Sequence, residues 1–358
     1  MVPVLDLSRR AARYGERFLT VTSRILASGH LLLGDELAAF EAEFAAFAGA
    51  DHCVGMASGA AAIQVGLAAL GVGPGDEVLV PAFTAVPTAS AVCALGAVPV
   101  PVDVDPATAA LRIDAARAAV TDRTRAVIPV HLYGRPAPLP IGLGVPILED
   151  AAQAHGAVGP AHGRPSLATV YSFYPTKNLG GVGDGGALVT DDAELAALAR
   201  RLRTHGMSAQ YVHTEISQNF RTSELEAAWL RLLLPDLAEG NARRRAAVAA
   251  YRAAAPGLAW HADHPDHVYH LAVVRAGERD AFRAALAEWG VATGVHYPLA
   301  VTQQPAYRHF ERTRCGQAEA WAASCVSLPC FPEITDGEID QVCDALAAVQ
   351  DRATNGAT

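Results

Sequence analysis

The sequence predicts an α/β fold: a mostly parallel sheet covered by helices, followed by a smaller C-terminal α+β unit. Three observations carry this. Short apolar runs alternate with Ala-rich helical segments through the first 190 residues, the pattern of a parallel sheet buried on both faces. Gly, Pro and Asp punctuate those runs where turns begin. From about Pro235 the texture changes to a long Ala/Arg segment and fewer alternations. The chain therefore divides into 1–234, an N-terminal arm with a large domain, and 235–358, a smaller domain. Its 358 residues are long for one domain and comfortable for two.

Residues 1–30 read as a helical arm with Arg9, Arg10, Arg13 and Arg17 on its polar side. Leu37, Phe40, Phe44 and Phe47 recur at helical spacing over 35–48. A short strand at 54–56 precedes Ser58 and Gly59, which open an Ala-rich helix through Leu70. The turn at 71–76 leads to a buried strand at 77–80, ended by Pro81. Helix 84–95, strand 98–102, helix 113–121 and strand 126–130 follow. Strand 146–149 delivers Asp150, strand 169–173 leads to the Lys177 loop, and strand 186–190 follows Gly185. Beyond 235 come helix 241–254, an extended 268–274, helix 279–288, strand 291–296 and helix 336–350. The stretch 134–146 is too rich in Pro and Gly for a helix.

The composition bounds the function. Hydrophobic residues make up 51%, enough for a large core. A net charge of −9 and a pI near 5.8 argue against nucleic-acid or anionic-membrane partners. No uninterrupted apolar stretch reaches membrane-spanning length, and no secretory leader is evident. The six cysteines form no CxxC pair and read as reduced, which fits a cytoplasmic protein.

Two motifs carry chemistry. Lys177 lies in Tyr171-Ser172-Phe173-Tyr174-Pro175-Thr176-Lys177-Asn178-Leu179-Gly180-Gly181, and Asp150 in Glu149-Asp150-Ala151-Ala152-Gln153-Ala154-His155-Gly156. Lys177 is the chain's single lysine; every other basic chain is Arg or His. An amine that forms a Schiff base, with an acid to hold a protonated pyridine nitrogen, is the minimum that pyridoxal phosphate chemistry asks of a protein. Ligands of open α/β sheets lie beyond the carboxyl ends of strands, and both motifs fall there.

These motifs, with Ala57-Ser58-Gly59, Gly75-Asp76-Glu77-Val78, Pro81-Ala82-Phe83-Thr84, Val102-Asp103-Val104-Asp105, Val130-His131-Leu132-Tyr133-Gly134, Asn219-Phe220-Arg221 and His296-Tyr297-Pro298, span nearly the whole chain. The chain resembles the DegT/DnrJ/EryC1/StrS sugar aminotransferases. The resemblance implies the aspartate-aminotransferase-like fold (fold type I), pyridoxal 5'-phosphate (PLP, or its amine form PMP) on Lys177, and Asp150 beside the pyridine nitrogen. It implies Phe83 stacked on the ring and Gln153 at the phenolic oxygen. Ser58, Gly59, Ala60 and Ser172 would hold the phosphate, with Asn219 reaching it from the second subunit of a homodimer with shared active sites. Backbone donors at a helix start suit an anion. The family usually has threonine where this chain has Ala60, so one hydroxyl contact is lost. His296 and Tyr297 would lie near the acceptor; Tyr133 and His131 are further candidates. The resemblance also places a helix where 134–146 cannot form one.

The implied activity moves an amino group from glutamate or glutamine to a ketone of a nucleotide-linked deoxysugar. An aminocyclitol acceptor is the enzymatic alternative, and a non-catalytic PLP-binding regulator the alternative of another class. The family's dehydratase variant has histidine in place of the lysine, and Lys177 argues against it. His261, His264, His267 and His270 step by three, but Pro265 and the alternation after it indicate loop then strand rather than a metal-binding helix face.

Overall fold

The computed structural model describes residues 1–157 and 164–355. Helix α1 (Leu7–Ser28) starts at Asp6, whose carboxylate accepts the Ser8 N–H, and ends at Gly29 with φ 71°. Helix α2 (Asp35–Ala48) buries Leu37, Phe40 and Phe44. Phe40 and Phe44 both meet Phe173 edge-on, at 5.3 and 5.2 Å between ring centres. That packing anchors the start of the lysine loop on an apolar floor.

The sheet is built from β1 (His52–Met56), β2 (Glu77–Pro81), β3 (Val98–Val102), β4 (Thr124–Val127), β5 (Leu148–Asp150), β6 (Ala168–Ser172) and β7 (Gly186–Thr190). Helices α3 (Gly59–Ala69), α4 (Pro87–Cys93) and α5 (Ile113–Ala119) connect them. β2 pairs in parallel with β3 and β4, and β5 with β6, while β7 runs antiparallel between β6 and β1. Single parallel bridges, Val127–Ile147 and Val130–Asp150, join the two ladders. The order is thus β3-β2-β4-β5-β6-β7-β1, with β7 alone reversed among these strands. Apolar clusters cover it: α3 and α4 side chains such as Ile63, Leu67 and Val92 pack with Val78, Val80 and Leu188, and α2 packs with Tyr171 and Val189. Asp150 ends β5 and the lysine loop leaves β6, so two adjacent parallel strands bring the acid and the amine together.

Two helices without a counterpart in the sequence reading follow, α6 (Ala193–Arg203) and, after the hairpin β8 (Met207–Ala209) and β9 (Val212–His213), α7 (Glu224–Leu233). Their start signals were there. The Asp192 carboxylate accepts from Glu194 and Leu195 N–H, and the Ser223 hydroxyl accepts from Glu226 N–H.

The remaining chain runs α8 (Leu237–Ala254), β10 (Ala259–Trp260), β11 (Ala272–Arg275), α9 (Arg279–Glu288), α10 (Gly316–Ser324), β12 (Cys325–Leu328) and α11 (Asp336–Asn355). β10, β11 and β12 form an antiparallel sheet over a cluster that includes Tyr251, Leu286, Phe331 and Leu346. The expected strand at 291–296 does not form. Val291 bridges Val2 on one side and Gly294 bridges Ser327 on the other, so no continuous ladder develops. The extended 268–274 becomes strand only from Ala272, after Tyr269 at φ 43° turns the chain. In the Pro/Gly stretch 134–146, Gly134 closes a short 3-10 turn (Leu132–Gly134) and the rest carries turns and bends but no helix. No described helix is long and apolar enough to cross a membrane.

Candidate active site

A cavity of about 640 Å³ opens where β5, β6 and α3 meet. Ser58, Gly59, Ala60, Asp150, Gln153, Ser172, Lys177 and Tyr297, eight of the residues singled out from the sequence, line it. Lys177 follows a turn in which its N–H donates to the Tyr174 carbonyl at 2.8 Å. Burial pushes its amine down to about 8, against the pull of Asp150 in the other direction. The Asp150 carboxylate is 4% exposed. One oxygen accepts from the Thr88 hydroxyl at 2.9 Å and the other from Ala152 N–H at 3.0 Å. Burial raises its pKa in spite of those donors and the nearby Lys177 charge. A cation placed against it would restore the ionised form.

The helix α3 start is shaped for an anion. Ser58 caps it by accepting Ala61 N–H at 3.1 Å, which leaves the first N–H groups, Gly59 and Ala60, without intrahelical partners. The approach is close: a Cβ on Gly59 would lie 2.7 Å from the Ser172 Cβ. Both serine hydroxyls retain a hydrogen to donate, since each acts as an acceptor toward the backbone, from Ala61 and Tyr174. Ala60 has only its N–H to offer.

Gln153 is locked at both ends. Its carbonyl accepts Tyr133 N–H at 2.6 Å, and its amide donates to the Tyr297 hydroxyl at 3.0 Å, leaving one N–H free. Tyr133 itself is buried behind Gln153, its hydroxyl donating to the His296 carbonyl. His296 does not line the cavity; its Nδ1 lies 2.9 Å from the Ser327 hydroxyl. His131 pairs with Glu149, on the opposite face of β5 from Asp150. Asn219 is exposed, accepts from Arg221, and is not part of this chain's cavity wall.

Phe83 is a correction. Its ring is fully buried against Trp321 (6.1 Å, 24° between planes) and Tyr297, and does not reach the cavity. The chain bends just after β2, so Phe83 turns into the core, and the wall is made by Thr84, Ala85, Val86, Pro87 and Thr88. No ring of that segment faces the cavity. Thr88, Tyr174 and Asp184 are wall residues to which the sequence reading assigned no role. A threonine four positions after Thr84, on the helix following a strand end, is the signal that could have found Thr88. The four spaced histidines lie on irregular chain ahead of β11, on neither a helix nor the expected strand. His261 and His267 face each other at 3.4 Å, while His270 turns to Asn178.

The donor set fits PLP. An amine, a buried unpaired carboxylate and a helix start with two hydroxyls lie around one cavity, at separate places for the aldehyde, the ring nitrogen and the phosphate of the cofactor.

Comparison with known proteins agrees. The model of the DegT/DnrJ/EryC1/StrS aminotransferase family matches residues 13–347. A UDP-N-acetyl-3-dehydro-alpha-D-glucosamine 3-aminotransferase of Acidithiobacillus ferrooxidans is 41% identical, over 95% of this chain and 96% of its own. A dTDP-3-amino-3,4,6-trideoxy-alpha-D-glucose transaminase of Streptomyces venezuelae is 42% identical, over 96% and 95%. A protein of Geobacillus stearothermophilus named as a pleiotropic regulatory protein is 39% identical, over 97% and 98%. The solved structure of S. venezuelae DesV superposes with a TM-score of 0.94 at 41% identity, over 98% of this chain and 99% of that one. With the cavity, its single lysine and this near full-length match, the chain belongs to the DegT/DnrJ/EryC1/StrS family and is a PLP-dependent aminotransferase.

Proposed function

We propose that the protein moves an amino group from glutamate or glutamine to a keto group at position 3 of a sugar carried on a nucleoside diphosphate. The observation that carries this is the Lys177–Asp150 pair facing one cavity in a chain whose two sugar-acting relatives above are both named for position 3. One works on a UDP sugar and the other on a dTDP sugar, so the nucleotide stays open.

Bound in this cavity, PLP supplies the electron sink for a carbanion and the carrier for the amino group. Lys177 would hold the cofactor through its Nζ and, once a substrate amine has displaced it, would take and return the proton at the substrate carbon. Asp150 would accept the hydrogen of the pyridine nitrogen and favour its cationic form. Gly59 and Ala60 N–H groups, with the Ser58 and Ser172 hydroxyls, would hold the phosphate. The free Gln153 N–H would serve the phenolic oxygen. Tyr297, on the cavity wall, would meet the acceptor, with His296 beside it in the chain but off the wall, its ring against Ser327.

We also propose a cytoplasmic homodimer in which Asn219 completes the partner's phosphate site. Support comes from the exposed apolar Tyr211, Val212 and Ile216 in the segment that leads to Asn219 and the exposed Leu31 and Leu32, the latter bridging Ser223, and from Asn219 lying outside its own chain's cavity. The division into 1–234 and 235–358 draws support from an apolar cluster made mostly by the second part, although Val2 packs into that cluster and Val273, Ala300, Trp321 and Cys325 pack into the core of the first part.

The test runs the reaction backward. UDP- and dTDP-linked 3-amino sugars are offered with 2-oxoglutarate, beside an aminocyclitol, and glutamate formation is followed. Turnover of a 3-amino sugar nucleotide, abolished in Lys177→Ala, is expected. Turnover of the cyclitol alone would move the assignment to that class. Absence of turnover with every amine, in protein that still forms the cofactor imine, would favour a regulatory role like the one the G. stearothermophilus protein is named for. For the dimer, Lys177→Ala chains are mixed with chains impaired at Asn219. Partial recovery of activity is expected, and no recovery despite subunit exchange removes Asn219 from its role.

A further inference from the structure

Two threonines of the cavity wall stand beside Asp150. Thr88 lies in the first turn of α4, and Thr84 lies four positions earlier, in the bend that follows β2. Both are buried, Thr84 2% and Thr88 1% exposed. The Thr88 hydroxyl donates to Asp150 Oδ2 at 2.9 Å, and the Thr84 hydroxyl lies 3.3 Å from that of Thr88. A hydroxyl has one hydrogen to donate. With the Thr88 hydrogen on the carboxylate, Thr84 is the donor of the second bond. The three groups form one hydrogen-bond chain, with both hydrogens directed toward Asp150. The residues between the threonines, Ala85, Val86 and Pro87, give the cavity an apolar wall.

The hydrogen-bond chain bears on where a proton rests. A carboxylate and a pyridine nitrogen set against each other share one proton, and the stronger base keeps it. Burial makes Asp150 a stronger base than a solvated aspartate. Left to burial alone, it would draw the proton from nitrogen to oxygen and leave a neutral ring, the weaker electron sink. Hydrogen bonds donated to the ionised carboxylate oppose this. Ala152 N–H gives one to Oδ1 at 3.0 Å, and Thr88 gives the other. Lys177 and His131 act only through space, and His131 is engaged by Glu149. Thr88 is thus the side chain, among the described residues, that donates to Asp150. Acceptance from Thr84 polarises the Thr88 hydroxyl and strengthens the bond it gives.

We propose, on the reading that Asp150 meets the pyridine nitrogen, that Thr88, backed by Thr84, is a positioning residue that keeps the shared proton on that nitrogen. With the Thr88 hydroxyl in place the N–H bond persists and Asp150 accepts it. Without the hydroxyl the balance moves toward the alternative: the N–H bond is broken, the same proton forms an O–H bond on Asp150, and the ring is neutral. No oxidant or other reactant enters. Neither hydroxyl is open to a substrate, since both are buried and engaged within the hydrogen-bond chain. The effect belongs to the hydroxyl and not to the shape of the wall, so valine, which has threonine's shape without that group, isolates it.

The experiment loads the enzyme with PLP labelled with nitrogen-15 in the ring and reads the nitrogen chemical shift, which separates a cationic from a neutral pyridine. The cationic value is expected for the unmodified enzyme. In Thr88→Val the shift should move toward the neutral value and kcat fall about fivefold, the value of one hydrogen bond, with KM for the amino donor held within about twofold. Thr88→Ser, which returns the hydroxyl, should restore both. Thr84→Val should move the shift the same way by less. An unmoved nitrogen in Thr88→Val that still binds PLP overturns the proposal. Should that variant not fold, an unmoved nitrogen in Thr84→Val overturns it. Asp150→Asn separates Thr88 from the reading beneath it. A moved nitrogen there, with an unmoved one in Thr88→Val, removes Thr88 alone, whereas an unmoved nitrogen in Asp150→Asn removes Asp150 from the ring.

Discussion

Glu149 and Asp150 are neighbours on β5, both buried, and their surroundings differ in kind. Glu149 is saturated. His131 Nε2 lies 2.9 Å from its Oε2, Arg164 Nε donates to Oε1 at 2.9 Å, and the Ser166 hydroxyl donates as well. Burial would raise its pKa, but those partners win and hold it at about 2. Asp150 receives one hydroxyl and one N–H, and burial prevails. The strand turns one carboxylate to a closed ion-pair network and the next to an open cavity. Full pairing by the protein marks a structural group; incomplete pairing beside a cavity marks one that waits for a ligand.

The comparison can be broken most sharply at Asp150. Asp150→Asn keeps the shape and loses the charge, and kcat is expected to fall by about 10²–10⁴-fold, on the order of 3–5 kcal/mol, with the thermal midpoint nearly unchanged. Steady-state kinetics beside a melting curve decides it; a normal kcat removes the acid from its role. Glu149→Gln should do the reverse. Leaving His131 and Arg164 without their anion is expected to cost about 3 kcal/mol of stability, while kcat per folded molecule stays within a few-fold. Because the Glu149 pKa is lowered on folding, its contribution is full above the ordinary carboxylate range and fades as pH falls toward about 2. Urea titrations at pH 7 and pH 3 should show the wild-type advantage over Glu149→Gln shrink.

Lys177 gives a gentler effect. Its amine stands at about 8 in the folded chain, below the ordinary lysine value of 10.5. In cofactor-free protein the rate of imine formation with added PLP should rise about tenfold per pH unit up to pH 8 and then level. The unfolded chain binds the extra proton between about pH 8 and 10.5, so Lys177 makes stability rise with pH across that window. A capture rate that keeps climbing beyond pH 10 would mean an unperturbed amine. The smallest change is expected from Ala60→Thr. One added hydroxyl at the α3 start should tighten PLP about fivefold, the value of one hydrogen bond, read as the concentration needed to restore the cofactor absorbance. No tightening would place the phosphate elsewhere.

The sequence by itself determined the alternation that makes the sheet, the strand ends that carry Asp150 and Ser172, and the one lysine of the chain. These are local or periodic signals: apolar runs, Gly and Pro punctuation, a motif held within ten residues. It also exposed the missing hydroxyl at Ala60, because that position lies inside a short motif. What tertiary structure decided was direction and pairing. Phe83 sits in a recognisable motif, yet its ring faces Trp321, some 240 positions along the chain, and not the cavity. Residues 291–296 have the composition of a strand but meet two different partners, Val2 and Ser327, one contact each. Arg10 reads as one of four arginines on a polar helix face, and only the fold buries it against the lysine loop beside Arg244. Strand formation, ring orientation and charge pairing depend on groups remote in sequence, and no local pattern encodes where those groups arrive.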